Sequence, residues 1–145
     1  MCAVDFTSAR ATAVLPRTTR AAAQARRVLA TVCVGDAAAE DTAALLLSEV
    51  VSNAVRHADG STIKVIVSRD DVCGAVTGAV FDSTARMGEG ARRGDGPLDE
   101  LETGRGLDIL DVLADMWGVT RVGESGKWVW FRIADRDRVR TATAA

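Results

Sequence analysis

Hydrophobic positions change their spacing several times along the chain, and each change marks an element. Between Leu45 and Val55, in "LLLSEVVSNAVRHADG", Leu45, Leu46, Leu47, Val50, Val51, Ala54 and Val55 leave a helix apolar around much of its circumference. Glu40 and Asp41 near its start and Arg56 and His57 near its end suit the helix dipole, and Asp59-Gly60 stops it. This central helix is expected over residues 37–58. Before it, Ala22, Ala25, Val28, Leu29 and Val32 form one stripe of a helix over 19–33, with Arg20, Arg26 and Arg27 off the stripe. Thr18 or Thr19 would cap that helix, and Pro16 would end an edge strand around Ala11–Leu15.

After Gly60 the period drops to two. In "STIKVIVSRD", Ile63, Val65 and Val67 alternate with Lys64, Ile66 and Ser68, which reads as a strand with one buried face. Asp70-Asp71 make a turn into a second strand, Val72 to Phe81, whose Gly74 and Gly78 are of the kind that admits a ligand or another backbone. Periodicity is lost from Ser83 to Thr103, a loop of about 20 residues, which is uncommon in a compact domain. A short helix follows, with Leu107, Leu110, Val112 and Leu113 packing inward. Two strands come next, Trp117–Val122 and "KWVWFRI" from Lys127 to Ile133. Residues 134–145 read as a flexible tail. The expected architecture is α+β, a two-layer sandwich with helices packed on one face of a mixed, mostly antiparallel sheet.

With 145 residues the chain has room for one domain and one core. A net charge of −2 gives no basic footprint for nucleic acid, and no apolar run nears the roughly 20 residues of a membrane span. The N-terminus lacks the pattern of a signal peptide. Three cysteines at no metal-ligand spacing, with a single histidine, argue against a zinc site and for reduced thiols in the cytoplasm.

Three short segments hold polar or glycine residues where a packed core would not choose them. Glu49 and Asn53 are four residues apart and share a helix face. Asp82 ends the glycine-bearing strand. Gly104-Arg105-Gly106 opens a helix, where free N–H groups and a permanent cation suit phosphate. An Asn oxygen suits Mg²⁺, a nearby carboxylate can deprotonate a hydroxyl, and a strand-end carboxylate can accept from an exocyclic amine. The three together fit a purine nucleotide with a metal.

"SEVVSNAVRHA", an Asp after a glycine-bearing strand, "GRGLDILDVLADMWGV" and "GKWVWFRI" together resemble the GHKL ATP-binding fold of gyrase and histidine kinases. Within it, the chain looks most like the short actinobacterial anti-sigma-factor serine/threonine kinases, over roughly residues 12–133. The resemblance implies ATP and Mg²⁺ as ligands, Glu49 as catalytic base and Asn53 as the Mg²⁺ holder. It implies Asp82 as the reader of the adenine amine, Gly104, Arg105, Gly106 and Leu107 as the second glycine box at the phosphates, and residues 83–103 as a lid. It implies a sigma factor and an anti-anti-sigma (STAS-type) antagonist as partners, and a homodimer. His57 is expected to be structural.

Two departures stand out. The first glycine box is replaced by "DSTARMGEG", and the last strand carries Gly126-Lys127-Trp128 where many members supply a threonine. Trp128 would narrow the pocket if it faced it. These departures define the alternative expectation, a non-catalytic module whose degenerate pocket only holds a sigma factor or an antagonist.

Overall fold

A computed structural model describes residues 8–33, 38–83 and 106–136. The elements run β1 (Ser8–Pro16), α1 (Ala21–Val32), α2 (Ala38–His57), β2 (Thr62–Asp70), β3 (Val76–Asp82), α3 (Gly106–Leu113), β4 (Met116–Val122) and β5 (Gly126–Ile133). The strands form one sheet in the order β1-β2-β3-β5-β4. Every pairing is antiparallel, so the sheet is not mixed. The reason is topological. The α3 crossover returns the chain in the direction of β3, but β5 then folds back and fills the gap between β3 and β4.

Period two decides which side of each strand is covered. Ile63, Val65 and Val67 of β2, Val76 and Val80 of β3, and Val129, Phe131 and Ile133 of β5 are buried beneath the helices. Leu46, Leu47, Val50 and Val51 of α2 and Leu110 of α3 meet them from above. Each such side chain contributes about 1.5–3 kcal/mol through burial, and together they make α2 the keystone of the helical layer. Leu45 is the exception to the apolar circumference expected for α2, because it points to solvent.

Gly78 is explained by packing within the sheet. A Cβ there would lie 2.4 Å from the Phe131 ring, which occupies the space across the pairing. A neighbouring side chain, not a ligand, is what this glycine admits.

The other face of the sheet carries Val14, Lys64, Phe81, Trp128, Arg132 and Met116 and has no helix over it among the described residues. Val72–Gly74 belong to the turn rather than to a strand. Asp70 Oδ1 accepts the N–H groups of Val72 and Cys73, and Gly74 takes φ 72°. Thr18 does serve the start of α1, its hydroxyl accepting the N–H of Arg20 at 3.2 Å, although it makes no direct cap on the helix.

Residues 134–136 are tied down. Asp115 accepts the Ala134 N–H at 2.7 Å and pairs with Arg136 at 3.3 Å. Residues 137–145 lie outside the described residues. No helix among those described is long and apolar enough to cross a membrane.

One charged pair joins the two layers. Glu40, in the first turn of α2, is buried and lies 3.6 Å from the Arg69 guanidinium of β2. That separation is an ion pair but too long for a hydrogen bond, and Glu40 Oε1 has no hydrogen-bond partner among the described residues. Removing one partner would strand the other charge. We expect Arg69→Met to destabilise the protein by about 3 kcal/mol in urea unfolding, and Glu40→Gln/Arg69→Met together to recover most of that loss. Equal losses in the single and double variants would show that the pair is not coupled.

Candidate functional site

The C-terminal end of α2 and the end of β3 are fastened to each other. The Asp59 N–H donates to the Ser83 carbonyl at 2.9 Å. Arg17, just after β1, closes the helix end. Its guanidinium donates to the carbonyls of Val55, at 3.0 Å, and Gly60. These contacts satisfy carbonyls that a helix end leaves without intrahelical partners and put a cation at the negative end of the dipole.

Asp82 lies at this junction, and Asn53 and Glu49 lie about one and two turns back from it along α2. Asn53 lies one turn before the end of α2 and is 7% exposed. Its Oδ1 receives only a 3.5 Å contact from Arg56, at the limit of a hydrogen bond. Glu49 lies one turn earlier, on the same face, and is half-buried. Asp82 ends β3 on the covered face, in phase with Val76, Gly78 and Val80, and is 4% exposed. Its Oδ1 is buried and accepts no hydrogen bond among the described residues. A buried acceptor left without a partner costs about 1–3 kcal/mol.

Lys127 stands directly across from Asp82 in the β3–β5 pairing and is 8% exposed. The two strands approach closely because residue 126 is glycine. A Cβ there would lie 2.2 Å from the Asp82 carbonyl oxygen. Burial pushes the Asp82 carboxyl above its ordinary value near 3.8. Lys127 opposes that shift, and the neighbouring Asp59 adds to it. His57 belongs to the same electrostatic neighbourhood. Partial burial, and then the cations Arg56 and Lys127, hold it below its ordinary value near 6.5. It therefore favours the neutral form at pH 7.

Trp128 is turned away from this cluster. It follows Lys127 in an alternating strand, so it faces the uncovered side of the sheet, with its ring centroid 5.2 Å from that of Phe81. It does not narrow the site.

Gly106 and Leu107 begin α3. That helix packs against α2, and its far end reaches the start of α2, where Val112 and Leu113 border the same cavity as Ala38 and Thr42. This cavity, of about 830 Å³, lies among residues at the opposite end of α2 from Asn53. Fifteen residues at 1.5 Å each separate Ala38 from Asn53, about 22 Å. The unpartnered Asp82 oxygen and the Asn53 carboxamide do not line this cavity. Gly104, Arg105 and the residues 84–103 expected as a lid lie outside the described residues, as does the altered box from Thr84 to Gly90.

A sheet of this topology, covered on one face by helices with polar groups at the α2–β3 junction, is matched over residues 14–133 by a family model, the histidine kinase-like ATPase domain. The chain belongs to this family. No curated protein matches it at a significant level. As a histidine kinase-like ATPase domain, the protein is an ATP-binding one. Asp82 Oδ1 lacks a hydrogen bond among the described residues, and Asn53 Oδ1 receives only the long contact from Arg56. Among the described residues no three His, Cys, Asp or Glu side chains gather as a metal cage. A magnesium ion carried in on phosphates needs only one or two protein oxygens, and Asn53 can be one.

Two members of the cluster escaped the sequence reading. Lys127 was legible in principle, since it keeps step with Val129, Phe131 and Ile133. Arg17 was not, because nothing local shows that a residue beside Pro16 closes a helix some 40 positions away.

Proposed function

We propose that this ATPase domain is a serine/threonine kinase that doubles as an anti-sigma factor, transferring a phosphoryl group to a serine of a STAS-type anti-anti-sigma protein. The observation that carries the proposal is the pairing of Glu49 with Asn53 on one face of α2, at the end of the sandwich where Asp82 keeps an unpartnered oxygen. In this reading Asp82 accepts a hydrogen bond from the adenine amine. Asn53 holds Mg²⁺, which neutralises phosphate charge when bound. The Glu49 carboxylate accepts the proton of the attacking serine hydroxyl while the new O–P bond forms and the bond to the ADP leaving oxygen breaks. The start of α3 would offer free N–H groups to the phosphates, and Arg105, the residue before it in sequence, would add a cation. Little covalent chemistry is asked of the protein, so a small domain suffices. The alternative of a non-catalytic module rests on the altered first glycine box, most of which lies outside the described residues, and on Trp128, whose ring packs on Phe81 at the opposite face. A homodimer in the cytoplasm is part of the same proposal.

Calorimetric titration with ATP, with and without Mg²⁺, tests the core of it. Binding should require the metal in the wild type and lose that requirement, with most of the affinity, in Asn53→Ala. Wild-type protein that binds no nucleotide at millimolar ATP would overturn the reading. The partner claim is tested separately, by mass-spectrometric detection of a phosphoserine on a co-encoded STAS protein after incubation with ATP.

A further inference from the structure

We propose that Lys127 reads the base, its ammonium donating a hydrogen bond to N1 of the adenine ring whose amino group Asp82 engages. The proposal rests on the reading of Asp82 as the adenine contact and extends it to a second, specificity-determining residue. Lysine is almost never fully buried unless paired. Lys127 is 8% exposed, yet it takes part in neither of the two ion pairs found among the described residues. Asp82, its direct partner across the strands, likewise keeps Oδ1 without a hydrogen bond. Directly opposed residues of an antiparallel pair have Cβ atoms about 4.5–5.5 Å apart. An acceptor oxygen without a hydrogen bond and a largely buried lysine therefore stand directly opposite each other on the covered face.

The Watson–Crick edge of adenine is the complement of that arrangement. It offers an amino donor for a carboxylate, and beside it a ring nitrogen acceptor for an ammonium. Guanine in the same pose offers the reverse, a carbonyl oxygen towards Asp82 and an N–H towards Lys127, so both contacts become repulsive. A hydroxyl at position 127 could turn and accept from that N–H. An ammonium carries three donors and no acceptor, so it cannot. Lysine here sharpens discrimination by penalising the wrong base, which is how specificity is commonly gained. The plain alternative is that Lys127 serves only as a counter-charge for Asp82. That alternative predicts equal effects on every adenine nucleotide.

The test compares ATP, GTP and the triphosphate of 1-deazaadenosine, which keeps the amine and lacks the N1 acceptor. Affinities are measured calorimetrically for the wild type and for Lys127→Met, whose side chain is of similar length. The wild type should bind ATP about tenfold more tightly than the 1-deaza analogue, the worth of one charge-assisted hydrogen bond. Lys127→Met should bind the two alike and should narrow the gap between ATP and GTP. A wild type that binds ATP but does not distinguish it from the 1-deaza analogue would overturn the role of Lys127 while leaving the nucleotide site standing. That comparison needs no variant to fold. An equal loss for both adenine ligands in Lys127→Met would overturn it too, in favour of the counter-charge. A wild type blind to every nucleotide would remove the Asp82 reading and this proposal together.

Discussion

Under the proposed kinase reading, Glu49→Gln is expected to slow phosphoryl transfer to a STAS-type serine about 10²–10⁴-fold while leaving ATP affinity within about twofold of the wild type. The amide keeps the size and shape of the side chain but no longer accepts a proton at neutral pH. Glu49 is half-buried on the α2 face that also carries Asn53, so the substitution leaves the core of the helix intact. Asn53→Ala should behave in the opposite way, with the loss appearing first as metal-dependent affinity. The split between the two variants is the informative result. Steady-state kinetics beside calorimetry would separate them, since a group acting only in the transition state lowers the rate without weakening the ground-state complex. If Glu49→Gln weakened ATP binding as much as turnover, Glu49 would be a binding residue and the base would have to be sought elsewhere.

Much of this arrangement was legible before any coordinates, because the rules that wrote it are local. The alternation of Ile63, Val65 and Val67 gave β2 its buried face, and the apolar run around Leu46 and Val50 gave α2 its place at the centre. Dipole-matched charges marked both ends of α2. What was not legible depends on pairing between distant segments. The strand order, with β5 inserted between β3 and β4, decides that Lys127 and not Trp128 looks at Asp82. A slip of one residue in that register would exchange them, since side chains alternate across a strand. The meaning of Gly78 followed from the same pairing, once Phe131 was seen to lie across it. The second hairpin strand starts at Val76 and not at Val72, although Val72 and Cys73 have strand-like chemistry. They are held instead in a turn by the carboxylate of Asp70.

Asp82→Asn should make the protein more stable at pH 7 and a poorer binder of ATP. The sign follows from the direction of the Asp82 shift. Burial, the largest influence, raises its folded pKa above the ordinary value near 3.8, and Lys127 only partly opposes this. The folded protein therefore holds the Asp82 proton more tightly than the unfolded chain does. As pH rises from 3.8 through the raised folded value, the unfolded chain releases its proton first, and the stability associated with the protonated carboxyl is lost. At pH 7 the wild type carries this cost in full and the amide variant carries none. Denaturant midpoints should thus be higher for Asp82→Asn at pH 7, and the difference should shrink as pH falls below 3.8, where the carboxyl is protonated in both states. ATP affinity should fall about tenfold in the variant, because a neutral amide replaces a charged acceptor at the adenine amine. In the wild type, affinity should decline as pH is lowered through the raised Asp82 value. A midpoint lower than that of the wild type would mean that attraction to Lys127 outweighs burial. Unchanged affinity would mean that the base does not meet Asp82. Higher stability with lost binding would identify the orphaned carboxylate as a group retained for its ligand at the expense of the fold, the trade expected where a site and a core share one residue.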